Sequence, residues 1–140
     1  MIHQLSIFLE NTSGTLTTVL QQLKKANVQL VSMTIADTAE YGILRILCTE
    51  PLRAQQVLSQ AGVAVALSDV FAIELDNRPG SAADVVDLFS QSAISFTYFY
   101  TFHMRGKGIM IFRADKPELA AQVVADHHLP AIEEDTLASF

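Results

Sequence analysis

The chain has 140 residues, half of them hydrophobic and 17% charged, with a formal net charge of −6. This length suits one domain or two very small ones, and the acidic balance argues against a partner held through many phosphate contacts. No apolar run approaches the roughly 18 residues of a membrane-spanning helix, and the start of the chain shows no secretory signal. A single cysteine, Cys48, excludes a disulfide framework. We therefore expect a cytoplasmic protein with neither a membrane nor a nucleic-acid partner.

The first half of the chain alternates between the two-residue period of strands and the three-to-four-residue period of helices. A glycine turn, Asn11-Thr12-Ser13-Gly14, separates the first strand from the first helix, and Pro51 suits the first turn of the second helix. In chain order, the predicted elements are a strand at 4–9, a helix from 15 to about 27, strands at 28–35 and 43–47, a helix at 51–61 and a strand at 63–67.

The second half repeats the first at a constant separation of 66 residues, so that Asn77-Arg78-Pro79-Gly80 matches Asn11-Thr12-Ser13-Gly14 and Gly108 matches Gly42. A fixed period of this length indicates a duplicated supersecondary unit. The predicted elements are a strand at 71–75, a helix at 81–89, strands at 94–102 and 109–112, a helix at 117–126 and a tail strand from 129 to about 137. We therefore predict two units, residues 1–68 and 69–140.

Each unit has the order βαββαβ, which predicts an α+β, ferredoxin-like fold with an antiparallel sheet and helices on one face. One such unit of about 65 residues buries little surface and leaves strand edges unpaired. We therefore expect the two units to pair side by side, edge to edge, with a homodimer forming through the remaining edges.

The repeated turn resembles that of the ACT domain, a regulatory module that commonly binds amino acids. Asn77-Arg78-Pro79-Gly80 is close to the family's usual turn, whereas the first copy carries Ser13 where proline is common. The resemblance covers nearly the whole chain twice and is closest to stand-alone ACT pairs. It implies a non-catalytic sensor or regulatory subunit without a cofactor, acting on a metabolic enzyme or regulator. It also implies that ligands lie where two units pair, between the glycine turn of one and the second strand of its neighbour.

The chemistry of the turn is compatible with such a ligand. Glycine allows a close approach to the backbone, and the free N–H groups that open a helix favour a carboxylate. The alternative is that each glycine serves only the turn. The expected ligand-binding residues, in pseudo-symmetric pairs of sites, are Asn11, Thr12, Ser13, Gly14, Thr15 and Leu16 in the first turn, Asn77, Arg78, Pro79, Gly80, Ser81 and Ala82 in the second, and Ser32, Thr34, Tyr98 and Tyr100 on the second strands.

Three other functions are compatible with parts of the sequence. The alternation at 96–102 predicts that Phe96, Tyr98, Tyr100 and Phe102 share one strand face, where they could stack nucleobases, but the matching residues of the first copy are not aromatic, which favours packing in a core or interface. Histidines could indicate a metal-responsive protein, but the spacing of His3, His103, His127 and His128 fits no known site. A structural dimer without a ligand is the third alternative. No catalytic motif is present.

Overall fold

A computed structural model of the chain describes residues 1–10, 12–37 and 41–139. The elements are β1 (Ile2–Glu10), α1 (Thr15–Lys25), β2 (Leu30–Asp37), β3 (Tyr41–Cys48), α2 (Pro51–Gln60), β4 (Val65–Leu75), α3 (Ser81–Gln91), β5 (Phe96–Met104), β6 (Lys107–Ala114), α4 (Pro117–Asp126) and α5 (Glu134–Ala138). The α+β class and the repeated ferredoxin-like pattern are confirmed, with β4 both ending the first βαββαβ order and beginning the second. Across the described ranges, every helix is too short or too polar to cross a membrane.

The chain divides into two compact units, and the main division falls between Ser68 and Asp69, inside β4. The N-terminal unit contains His3–Ser68 together with Glu134–Phe140, and the C-terminal unit contains Asp69–Glu133 together with Met1–Ile2. The first two residues of the chain therefore belong to the C-terminal unit, and the last seven belong to the N-terminal unit.

The sheet of the N-terminal unit has the order β2-β3-β1, and the Phe8 N–H also donates to the Ala64 carbonyl 3.0 Å away, just before β4. Helices α1 and α2 are amphipathic, and their apolar stripes pack on one face of the sheet. The core of this unit consists of Leu5, Ile7, Leu9, Val19, Leu23, Val28, Leu44, Ile46, Cys48, Ala54 and Leu58. Burying each large aliphatic side chain contributes roughly 1.5–3 kcal/mol.

The sheet of the C-terminal unit has the order β4-β6-β5, and an isolated bridge joins Ile73 to Ala131. Its core is more aromatic than that of the N-terminal unit. The Phe112 ring lies 5.0 Å from Phe89, 4.6 Å from Phe96 and 5.1 Å from Phe71, measured between ring centroids. The core residues are Phe71, Ile73, Phe89, Ile94, Met110, Phe112, Ala114, Ala120 and Val123, with Phe96 packed against them.

The prediction that Phe96 shares one face of β5 with Tyr98, Tyr100 and Phe102 is wrong. The register of β5 against β6 shifts between Phe96 and Tyr98, so that Phe96 lies opposite Ala114 and Tyr98 opposite Arg113. Such a bulge adds one residue and changes the face on which the following side chains lie. Phe96 therefore shares the helix-covered face with Phe99, while Tyr98, Tyr100 and Phe102 share the other face.

The predicted tail strand is also wrong. Only Ala131 forms a bridge, with the Ile132 N–H donating to the Ala72 carbonyl 2.8 Å away, and the chain then forms helix α5. The His3 N–H donates to Glu134 Oε2 at 2.8 Å, which ties the start of α5 to β1. The two strands predicted at 63–67 and 71–75 are likewise one continuous strand, β4.

Candidate functional site

The turn between β4 and α3 depends on Gly80, whose φ of 83° lies in the left-handed region that glycine adopts without steric penalty. Inside the turn, the Ser81 N–H donates to the Arg78 carbonyl, 3.3 Å away. The first helical hydrogen bond runs from the Asp84 N–H to the Gly80 carbonyl, at 3.0 Å. The N–H groups of Ala82 and Ala83 precede that bond, so they belong to the unsatisfied donors at a helix start, where an anion is favoured.

A cleft of about 290 Å³, here called the strand-side cleft, lies between this turn and the end of β5. Gly108 faces Leu75 on one neighbouring strand and His103 on the other, and its missing side chain leaves space between them. The cleft is at the lower end of the size range of small-molecule sites. Its lining consists of Leu75, Asp76, Asn77, Arg78, Gly80, Ser81, Ala82, Ala83, Thr101, His103 and Gly108.

A second cleft, of about 260 Å³ and here called the helix-side cleft, lies on the other side of the turn. Asp76, Arg78 and Ser81 line both clefts. The remaining lining of the helix-side cleft is Glu74, Asp84, Val85, Leu88, Leu129 and Pro130, which combines carboxylates with an apolar surface. All lining residues of both clefts belong to the C-terminal unit.

The guanidinium of Arg78 is the cation shared by the two clefts. Its Nη2 donates to Asp84 Oδ2 at 2.9 Å, and its Nε lies 3.7 Å from Asp76 Oδ2. All three side chains are more than half exposed, and ion pairs of this kind contribute only about 0–1 kcal/mol. A ligand carboxylate can therefore replace Asp76 or Asp84 as the partner of the guanidinium at little cost in stability.

The first turn, between β1 and α1, has the same backbone shape and a different hydrogen-bond pattern. Gly14 has a φ of 93°. The Thr15 hydroxyl lies 3.0 Å from both the Glu10 and the Thr12 carbonyls, and the Thr18 hydroxyl donates to the Gly14 carbonyl at 3.0 Å. Of the other predicted residues here, Thr12 and Ser13 are exposed and Leu16 is half-buried, while Asn11 lies outside the described residues.

The second turn brings most of its predicted residues together. Asn77, Arg78, Gly80, Ser81 and Ala82 all line the strand-side cleft, and exposed Pro79 lies between them in the turn. The four predicted strand residues, Ser32 and Thr34 on β2 and Tyr98 and Tyr100 on β5, are half-buried and are not part of its described lining.

The strand residues of the cleft that the sequence analysis missed are Thr101 and His103. They lie on the opposite face of β5 from the two tyrosines, because Thr101 pairs with the core residue Met110 while Tyr100 pairs with Ile111. Strand alternation from Tyr98 and Tyr100 could have indicated this face. Whether the turn of one unit also meets the second strand of the other stays a prediction.

The titratable groups outside the clefts offer little further chemistry. Burial raises the pKa of the Cys48 thiol, which keeps it protonated near neutral pH. The Arg53 side chain donates hydrogen bonds to Glu50 and lowers the pKa of that carboxyl. Among residues 1–10, 12–37 and 41–139, no group of three or more His, Cys, Asp or Glu side chains could hold a metal ion.

Comparison with known proteins gives the family. The family model described as an ACT domain pair matches residues 1–140. A Bacteroides thetaiotaomicron protein of known crystal structure is 32% identical, with a TM-score of 0.92 over 99% of this chain and 96% of that one. The regulatory subunits of aspartate kinase from Thermus thermophilus and Thermus flavus share the fold, with TM-scores of 0.61 and 0.58, identities of 14% and 15%, and coverage of 89% of this chain and 90% of theirs. No curated protein matches in a sequence comparison. The chain belongs to the family of ACT domain pairs.

Proposed function

We propose that this protein binds a free amino acid without transforming it, and that binding regulates a metabolic enzyme or another regulator. The observation that carries the proposal is the strand-side cleft, where the Arg78 cation, the Asp76 carboxylate and two hydroxyls surround a glycine turn at a helix start. ACT domains are regulatory modules, and the similar Thermus proteins are by name regulatory subunits of aspartate kinase.

The lining of the cleft is complementary to an α-amino acid. The N–H groups of Ala82 and Ala83 and the guanidinium of Arg78 are donors for the α-carboxylate. The Asp76 carboxylate can accept from the ammonium group, and it lies near enough to Arg78, at 3.7 Å, to form an alternating charge pattern. Thr101 and His103 are left for the side chain of the ligand.

Regulation would follow from differential binding. A ligand shifts an equilibrium between two arrangements of a protein, or between its free and docked forms, only by the difference between its affinities for them. The proposal therefore requires that the cleft differ between the two states of the regulatory complex.

The proposal includes a homodimer. In the sheets described above, β2 and β5 are edge strands, and each carries an exposed apolar residue at the matching position, Met33 at 51% and Phe99 at 53% exposure. Exposed edges of this kind favour pairing with another copy.

The test is a thermal-shift screen of the full chain against the twenty proteinogenic amino acids. A ligand at a hundred times its Kd adds about 2.7 kcal/mol to the free energy of unfolding, which raises Tm by several degrees. If all twenty leave Tm unchanged, the proposed function is wrong.

The site is tested with Gly108→Val, which should abolish the shift by filling the cleft. Gly108 has no positive φ, and an added Cβ would make an ordinary contact of 3.7 Å with Leu75 Cβ, so the backbone and the first side-chain carbon of valine fit without strain. It is preferable to a change at Gly80, where any side chain would strain the backbone. Gly42→Val, at the matching position of the first unit, is the control and should keep the shift. A full shift with Gly108→Val would place the ligand elsewhere.

A further inference from the structure

We propose that the two glycine turns have different roles: the second turn holds the ligand through the Ser81 hydroxyl, and the first is closed by its own hydroxyl, so that each chain binds one amino acid. This inference rests on the proposed function and replaces the expectation of paired, equivalent sites. It depends on three differences between the turns.

The first difference is the state of the hydroxyl. Ser81 is only 7% exposed and lines both clefts, yet its hydroxyl has no hydrogen-bond partner within the described part of the chain. The hydroxyl oxygen is not among the fully buried unpartnered atoms of the described residues, so it remains accessible from the clefts and can form a new hydrogen bond without breaking one inside the protein. The side chain is thus placed to donate to a ligand carboxylate beside the N–H groups of Ala82 and Ala83.

The matching residue of the first turn is Thr15, 66 positions earlier. Its hydroxyl is already engaged with the Glu10 and Thr12 carbonyls at 3.0 Å each. A ligand at this turn would have to break those bonds and compete with the closure of the turn itself. The hydroxyl of the first turn is therefore already engaged within the chain, whereas the Ser81 hydroxyl of the second turn is available to a ligand.

The second difference is charge. Arg78 and Asp84 of the second turn correspond to Thr12 and Thr18 of the first. Thr18 donates to the Gly14 carbonyl, so it also contributes to closing its turn, whereas Arg78 and Asp84 form an exposed ion pair that a zwitterion can enter. Only the second turn offers a cation for the carboxylate.

The third difference lies on the neighbouring strand. Thr101, which lines the strand-side cleft, corresponds to Ile35 of the first unit, an exposed apolar residue. A hydroxyl in the second unit is thus replaced by a hydrocarbon in the first. All three differences favour the same turn as the binding site for a polar, zwitterionic ligand.

The test is isothermal titration calorimetry with whichever of the twenty amino acids gives the largest thermal shift. For the wild-type chain we expect one site per chain. Ser81→Ala should weaken binding about tenfold, or about 1.4 kcal/mol, the loss of one hydrogen bond to a charged group. Because the removed hydroxyl had no partner, the Tm of the ligand-free variant should be unchanged or slightly higher.

Thr15→Ala is the matched control, with the opposite expectation. It should lower the Tm of the ligand-free protein by a few degrees and leave the affinity unchanged. Two sites per chain, an unchanged affinity for Ser81→Ala, or a weakened affinity for Thr15→Ala would each overturn the inference while the proposed function stands. If no amino acid binds the wild-type chain, the proposed function itself is wrong and the inference fails with it.

Discussion

At the scale of the residue, equivalent positions of the two repeats carry different chemistry on the same backbone. Gly14 and Gly80 both adopt a positive φ, and Thr15 and Ser81 both begin a helix, but only the Thr15 hydroxyl closes its turn. The need for glycine was predictable from the repeated Asn-x-x-Gly pattern. The hydrogen-bond partners of the two hydroxyls were not predictable, because threonine and serine offer the same donor. The surrounding backbone decides which acceptor it reaches.

A residue-scale prediction concerns Cys48, which is buried in the core of the N-terminal unit. Burial raises the pKa of its thiol, so the reactive thiolate should be scarce in the native protein near neutral pH. We expect its reaction with a disulfide reagent to be slow at pH 7 and rapid in denaturing urea. A fast native reaction would contradict the buried position of Cys48.

The same shift fixes the sign of a pH effect. Because the folded-state pKa lies above that of the unfolded chain, the unfolded thiol ionises first as the pH rises. The contribution of Cys48 to stability is therefore fully present below the ordinary thiol pKa and is lost as the pH rises through the folded value. Cys48→Ser would remove this dependence, which urea titrations between pH 8 and pH 10 would measure.

At the scale of the element, the sequence predicts what local periodicity determines. The apolar spacing and Pro117 predict α4 with both of its ends, and the strand alternation predicts β1. The bulge at Phe96 is not visible in an alternating run of aromatics, because the ring chosen for the core depends on packing against Phe89 and Phe112. The face of Thr101 and His103 was accessible from the sequence, because β5 alternates regularly from Tyr98 to Met104.

Helix α5 shows where the repeat misleads. In the first copy, the chain after 63–67 continues directly into the next strand, whereas the matching stretch of the second copy is followed by Glu134–Ala138, which forms a helix. Leu137 is its one buried residue and is only 1% exposed. The repeat thus predicted a strand where one buried leucine and a tie to His3 hold a short helix.

The element-scale prediction is that Leu137→Ala lowers the free energy of unfolding by about 2–4 kcal/mol, as expected for a large-to-small change at a buried site. Exposed Asp135→Ala, in the same helix, should stay within about 0.5 kcal/mol of the wild-type value. Urea denaturation of the two variants measures both. If Leu137→Ala lowers the free energy of unfolding as little as Asp135→Ala does, the packing of Leu137 does not stabilise the fold.

At the scale of the whole molecule, the chain is an ACT domain pair, for which we propose one ligand site per chain. The family, the α+β class and the repeat were all accessible from the sequence, because a constant offset of 66 residues aligns two glycine turns and two strand glycines. The side-by-side pairing of the two units stays a prediction. Strand β4 runs across their division, so a chain cut after Ser68 would lose part of one strand from each half.

The ligand site can be located directly by amide hydrogen exchange of the wild-type chain with and without the amino acid that stabilises it most. We predict that the ligand slows exchange at 77–84 and 101–108, the segments that line the strand-side cleft, and leaves 12–18 unchanged. Equal protection of both turns would contradict the single site, and protection confined to other segments would contradict an amino-acid site at the second glycine turn.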